Sequence, residues 1–135
     1  VKMFNANATQ YTTAGSVVWV PIYLIYRHRG IVSDRWLGGM PMVICNDSRF
    51  GVIEQTWDQF REGKQVQVEG YPGQLPYYEV LRRARSRIGS PYHVTEFNCD
   101  HLVNEAHGLP LESSQLKVTL SIAAAAGLLL AAAAR

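Results

Sequence analysis

The side chains of this 135-residue chain best suited to covalent chemistry are two cysteines, with four histidines available as a base. Cys99 is the candidate nucleophile. It follows Asn98, a residue type that caps helices, and lies at the start of the run FNCDHLVNEAH, which Gly108 closes. A thiol attacks as thiolate, and its pKa falls at a helix N-terminus, where unpaired backbone N–H groups and the macrodipole favour negative charge. The same N–H groups, supported by Asn98, can hold a developing oxyanion. The competing reading of Cys99 is a small buried hydrophobe. Cys45, inside the apolar run MVIC, reads as buried core.

A thiol nucleophile needs a base within hydrogen-bond reach. His101 lies two positions after Cys99, roughly on the opposite side of a helix, and reads as packed or exposed rather than catalytic. His107 falls in the last helical turn and reads as a surface residue. His93 sits in a loop after Pro91-Tyr92. His28 is the candidate base: it lies on a strand between Arg27 and Arg29, beside Gly30, where the missing side chain lets another backbone approach. A polar residue on the wet face of a strand is the competing reading.

The hairpin formed by 27–34 and 40–47 offers a third member. If Asp34 pairs with Met40 across RWLGG, the partners are Val32–Met42, Gly30–Ile44 and His28–Asn46. Directly opposite residues share a face, so Asn46 would orient the His28 ring. A slip of one residue flips the face. The alternatives are Ser48 as the orienting group, or Asn46 as a residue that merely ends its strand.

These groups need a sheet and helices to position them. SVVWVPIYLIY (16–26) is strand-forming and interrupted at Pro21, and 27–34 and 40–47 are joined by a loop of five residues, 35–39. A short strand follows at 52–55, a short helical turn at 57–63, and an alternating strand with one wet face at 65–70. In 76–88, Val80, Leu81, Ala84 and Ile88 have helical spacing, Arg82, Arg83, Arg85 and Arg87 fall on solvated faces, and Gly89 is the stop. Strands first and helices later describe an α+β domain with a small antiparallel sheet packed against helices.

Composition narrows the classes. Thirteen Lys+Arg against eleven Asp+Glu gives a net charge of +2, too little for a partner held by bulk cationic charge, so nucleic acid is not expected. A hydrophobic content of 47% is that of a folded chain. Two widely separated cysteines make neither a disulfide framework nor a CxxC site. The histidines lack metal-ligand spacing, and no glycine loop lies between a strand and a helix, so neither metal nor cofactor is expected. Residues 1–14 are polar and read as a flexible segment without a secretory signal. Residues 117–135 read as a hydrophobic C-terminal helix, with an uncharged stretch from Val118 to Ala134. A membrane anchor, a buried helix of the fold and a partner-facing tail are the three readings of that helix.

The strand HRGIVSD, the helix start Asn98-Cys99-Asp100-His101-Leu102 and the order of His before Cys resemble the lecithin:retinol acyltransferase (LRAT)-like proteins. That family belongs to the permuted papain-fold group that includes NlpC/P60 enzymes. Its strand begins His-x-Gly-Ile and its helix Asn-Cys-Glu-His-Phe, so the second motif here is a near match with two conservative departures. Arg82 to Ser86 and Gly89-Ser90-Pro91-Tyr92 also look like the run before the family's cysteine. The resemblance covers Gly15 to Leu116 and implies a catalytic domain over 15–116.

The resemblance further implies that Cys99 accepts an acyl group and that His28 is its base. The family's orienting histidine on the second hairpin strand is absent here, and Asn46 stands as its polar substitute. The implied chemistry is ping-pong acyl transfer or hydrolysis on an acyl-lipid of phospholipid type, at a membrane surface on the cytoplasmic face. An NlpC/P60-type peptidase or amidase acting on amides, and a non-catalytic domain of the same fold, are the alternatives.

Overall fold

A computed structural model describes residues 13–111 and 120–127. The β-branched and aromatic run at 17–22 forms β1 (Val17–Ile22), and β2 (Tyr26–Leu37), β3 (Met40–Asp47) and β4 (Gly51–Gln55) follow. A short helix α1 (Trp57–Arg61) precedes β5 (Gln67–Gly70), and α2 (Tyr77–Ser86) and α3 (Cys99–His107) complete the order. The five strands form one antiparallel sheet in the order β4-β3-β2-β1-β5. Thus the domain is α+β, as composition and patterning predict. Pro21 lies beyond the stretch of β1 that pairs with β5, where its missing N–H costs no ladder bond.

Strand alternation sends two apolar sets to opposite faces. Val17, Ile31, Ile44 and Val52 pack with Leu81 of α2 and Leu102 of α3. Val18, Val20, Val32, Val43 and Cys45 pack instead with Trp57 and Phe60 of α1. Each fully buried aliphatic side chain contributes about 1.5–3 kcal/mol, so both faces stabilise the sheet. The arginines of α2 are less solvated than their helical spacing predicts. Arg85 reaches Asp34 of β2 at 2.6 Å and Glu54 of β4 at 3.0 Å, and Arg87 reaches Glu105 of α3 at 2.7 Å.

The hairpin differs from the sequence expectation. Its turn is Gly38-Gly39, two residues with φ of 65° and 80°, in place of a five-residue loop. Left-handed backbone at both positions suits the tight turn that continues strand twist, and glycine enters it without steric cost. Pairing therefore runs on to Leu37↔Met40. Farther along, four steps on β2 (Val32 to Trp36) match two on β3 (Val43 to Pro41). Within this bulge the Arg35 N–H donates to Ser33 Oγ at 3.0 Å, and Ser33 Oγ donates to Glu54 at 2.6 Å. The register that results pairs Gly30 with Cys45, not with Ile44.

Residues 120–127 are helical and exposed. Among the described residues, no helix is long and apolar enough to cross a membrane. The rest of the 117–135 segment lies outside the described residues, as does 1–12 of the N-terminal segment.

Candidate active site

Helix α3 begins at Cys99 because Asn98 caps it. The Asn98 side-chain oxygen accepts the N–H groups of Asp100 at 3.0 Å and His101 at 3.2 Å. His101 Nδ1 accepts the Asn98 N–H at 3.0 Å, which closes a reciprocal capping box. His101 is thus a buried structural residue, in line with its non-catalytic reading. The amide nitrogen of Asn98 donates to the Val94 carbonyl at 3.0 Å and ties the cap to the preceding loop.

The Cys99 thiol donates to the Arg27 carbonyl of β2 at 3.6 Å. It meets β2 just past Gly30↔Cys45, the last pair of the β2–β3 ladder at this end. The Arg29 side chain joins Asp100 at 3.1 Å and also pairs with Glu69 of β5, which holds the start of α3 against the sheet.

The helix start does not give an easily ionised thiol. Burial is the largest influence on Cys99, and the Asp100 carboxylate adds to it. The backbone N–H groups of Arg29 and Asp100 and the Arg29 charge favour the thiolate, yet they are outweighed. The thiol is pushed up to about 11 and is 2% exposed. The expectation of a lowered pKa fails because the helix terminus acts on a sulfur that water barely reaches.

His28 is buried on the α1 face of β2, where its ring stacks on Phe60 with centroids 5.1 Å apart. Gly30 makes room for this arrangement. A Cβ there would meet Phe60 Cε1 at 2.8 Å, overlap Val43 Cγ1 and stand 3.3 Å from the Ile44 carbonyl, so the glycine admits an aromatic side chain as well as the close backbone expected from the sequence. Burial lowers the pKa of His28, against the opposing pull of the Asp47 and Glu62 carboxylates. The ring is neutral at pH 7, and its buried Nε2 has no hydrogen-bond partner among the described residues.

Asn46 does not stand beside His28. Two residues past Gly30↔Cys45, the register brings Asp47 to the level of His28. Asn46 shares the face of Ile44, toward α3, and its amide donates to the Phe97 carbonyl at 2.9 Å. The group that acts on His28 from β3 is instead Asp47, a carboxylate that pattern reading passed over, and it acts through its charge. Counting the hairpin from a two-residue Gly-Gly turn would still have missed it, because the bulge in β2 also shifts the register. The Asp47 carboxylate is gripped by Arg49, from the backbone N–H at 2.7 Å and the side chain at 3.0 Å. Burial alone would raise its pKa, but these bonds hold it below the usual carboxylate range.

The remaining candidates divide. Ser48 stands at the cleft wall on the β3–β4 turn. His93 is exposed near Glu96 at 4.0 Å. His107 is not a surface residue: its Nε2 lies 2.8 Å from the Gly15 carbonyl and its ring sits edge-on to Tyr71. Cys45 is buried, as its apolar run predicts, and accepts a hydrogen bond from Gln55 at 3.2 Å. Among the described residues, no three His, Cys, Asp or Glu side chains are grouped to hold a metal ion.

A cleft of about 350 Å³ joins these parts, with Cys99, His28, Asn46, Asp47, Phe60 and Tyr92 among its walls. It is large enough for an extended chain or a small head group. A sulfur at a capped helix start and a neutral imidazole therefore line one concavity. No family model matches the chain, and no curated protein matches it.

Proposed function

We propose that this chain is a thiol-dependent acyltransferase or hydrolase with an LRAT-like domain of permuted papain type, forming a thioester on Cys99 from a phospholipid-type acyl donor. The observation that carries the reading is that Cys99, first residue of a capped helix, and His28, a neutral imidazole, line the same cleft. His28 takes the thiol proton as the sulfur attacks the acyl carbonyl carbon. The Asp100 and His101 N–H groups are taken by the Asn98 cap, so the backbone N–H of Cys99 is the oxyanion donor of this reading. Collapse breaks the acyl–oxygen bond, and the leaving alcohol takes the proton from His28. Water or a second alcohol or amine then attacks the thioester and gives its proton to His28, and the departing sulfur takes that proton to restore the thiol and the neutral imidazole.

A thiol with a pKa of about 11 is nearly all protonated at rest, so proton transfer accompanies attack rather than preceding it. The nearby Asp47 carboxylate favours the imidazolium that forms. The burial of the sulfur favours a second reading, a non-catalytic domain that keeps the fold.

Intact mass after incubation with phosphatidylcholine vesicles separates the two. The acyl reading expects an adduct that hydroxylamine removes and that Cys99→Ala lacks. Lyso-lipid release without an adduct is expected when deacylation is the faster step, and Cys99→Ala must abolish it. Neither product, or products that survive Cys99→Ala, would overturn the acyl reading. Cleavage of soluble amide substrates with no lipid turnover would assign the site to the peptidase class instead.

A further inference from the structure

The rim of the cleft carries an apolar surface that the chemistry of Cys99 does not use. β1 and β2 are joined by Tyr23-Leu24-Ile25, closed by the pair Ile22↔Tyr26. Turns of this kind favour Gly, Asn and Asp, and a left-handed backbone is costly for a bulky residue. Tyr23 nevertheless takes φ 55°. Tyr23 is 84% exposed, Ile25 is 52% exposed, and Leu24 is fully exposed. The β2–β3 pairing is antiparallel, so the β3–β4 turn lies at the same end of the sheet, and there Phe50 is 62% exposed. Tyr23 and Tyr26 from one turn, and Ser48 and Arg49 from the other, line the cleft. The apolar tips therefore stand at its mouth.

Charge and size select the occupant. Arg49 is matched by Asp47 and Glu62. Among the described residues neither Arg27, directly after the turn and stacked over the Trp19 ring at 4.4 Å, nor Lys64, on the cleft wall, pairs with a carboxylate. This end of the sheet thus combines protruding apolar side chains, two tyrosines of the type that settles at membrane–water boundaries, and two cations that no carboxylate pairs, Lys64 on the cleft wall and Arg27 next to the turn. A tip of three residues is far smaller than the roughly 800 Å² per partner of a stable protein interface, which disfavours a second copy of the chain.

We propose that the Tyr23-Leu24-Ile25 turn, with Phe50 beside it, inserts into the surface of an anionic phospholipid bilayer and holds the cleft mouth against the lipid. This docking needs neither the Cys99 thiol nor the C-terminal segment. It therefore stands or falls separately from the proposed acyl chemistry.

The test uses the full chain and phosphatidylcholine vesicles with and without phosphatidylserine. In Leu24→Trp, emission relative to the unsubstituted chain should shift to the blue on adding anionic vesicles, and brominated lipid should quench it. Leu24→Asp with Ile25→Asp should weaken co-flotation with anionic vesicles by about tenfold or more, since two apolar side chains leave the lipid. Arg27→Gln with Lys64→Gln should erase the preference for phosphatidylserine. Leu24, Ile25 and Arg27 are exposed and Lys64 is half-buried on the cleft wall, and an unchanged circular dichroism spectrum verifies the fold of each variant. Emission from the Leu24→Trp variant that does not move, or full binding by the double aspartate variant, overturns the proposal and leaves attachment to another part of the chain. Tip-dependent self-association without vesicle binding overturns it in favour of a second copy.

Discussion

The imidazole of His28 and the ring of Phe60 are stacked across the α1 face of the sheet, with centroids 5.1 Å apart and planes inclined by 28°. The contact fixes the plane of the candidate base and shields it from water. It also explains the glycine two residues later, because Val43 and Phe60 occupy the space a side chain at Gly30 would need. Phe60 itself is set by α1, which Thr56 caps through a reciprocal box with Gln59. The orientation of the imidazole is thus controlled from a helix outside the motif that contains it.

Gly30→Ala tests this directly. The added methyl must push Phe60 or Val43 aside, and overpacking of that kind costs about 1–3 kcal/mol. Denaturant unfolding should show that loss. NMR titration should show the His28 pKa moving back toward 6.5, because displacing Phe60 admits water to the ring. An unchanged titration alongside the stability loss would mean that Phe60 does not set the environment of His28.

Acid should destabilise the fold through its buried histidines. Burial lowers the pKa of both His28 and His107 from 6.5. The unfolded chain then binds protons that the folded chain refuses, so the stability associated with neutral rings is present above 6.5 and is lost as pH falls toward the folded values. Urea unfolding at a series of pH values from about 7 to about 5 should show the decline. His28→Gln should flatten part of it. A slope unaltered by His28→Gln would place the His28 pKa at its ordinary value.

Cys99 should alkylate slowly at neutral pH and faster as pH rises toward about 11. Asp100→Asn removes a carboxylate that opposes the thiolate, so its iodoacetamide rate should rise at neutral pH. The rate difference should shrink at high pH, where both chains approach full ionisation. If Asp100→Asn reacts no faster, access and not charge controls the sulfur.

Local signals were legible where one residue decides the outcome. Asn98 and Gly108 mark the ends of α3, and Val80, Leu81 and Ala84 mark the buried stripe of α2. Hairpin register was not legible, because it depends on two features at once. Gly38-Gly39 tightens the turn, while the Ser33 hydroxyl stabilises a bulge through Arg35 and Glu54. The β3 residue brought level with His28 changes with the register, from Asn46 to Asp47, whose charge acts on the ring. The burial of His107 is hidden for a similar reason: the Gly15 carbonyl that its ring meets is 92 residues away. The ionisation of Cys99 depends on burial, which a capping motif does not report.

Asn46 provides the sharpest test of the corrected site. Its amide donates to the Phe97 carbonyl, one residue before the cap of α3, so it braces the segment that delivers Cys99. Asn46→Ala removes one of two donors to that carbonyl, with the His93 N–H still donating at 2.8 Å, and should cost about 0.5–1.5 kcal/mol in unfolding free energy. Because Asn46 faces α3 and His28 faces α1, the imidazole titration should stay unchanged. Asp47→Asn should do the reverse and lower the His28 pKa further, since the Asp47 carboxylate is the largest influence raising it. A His28 titration that moves with Asn46→Ala and ignores Asp47→Asn would restore Asn46 as the orienting residue.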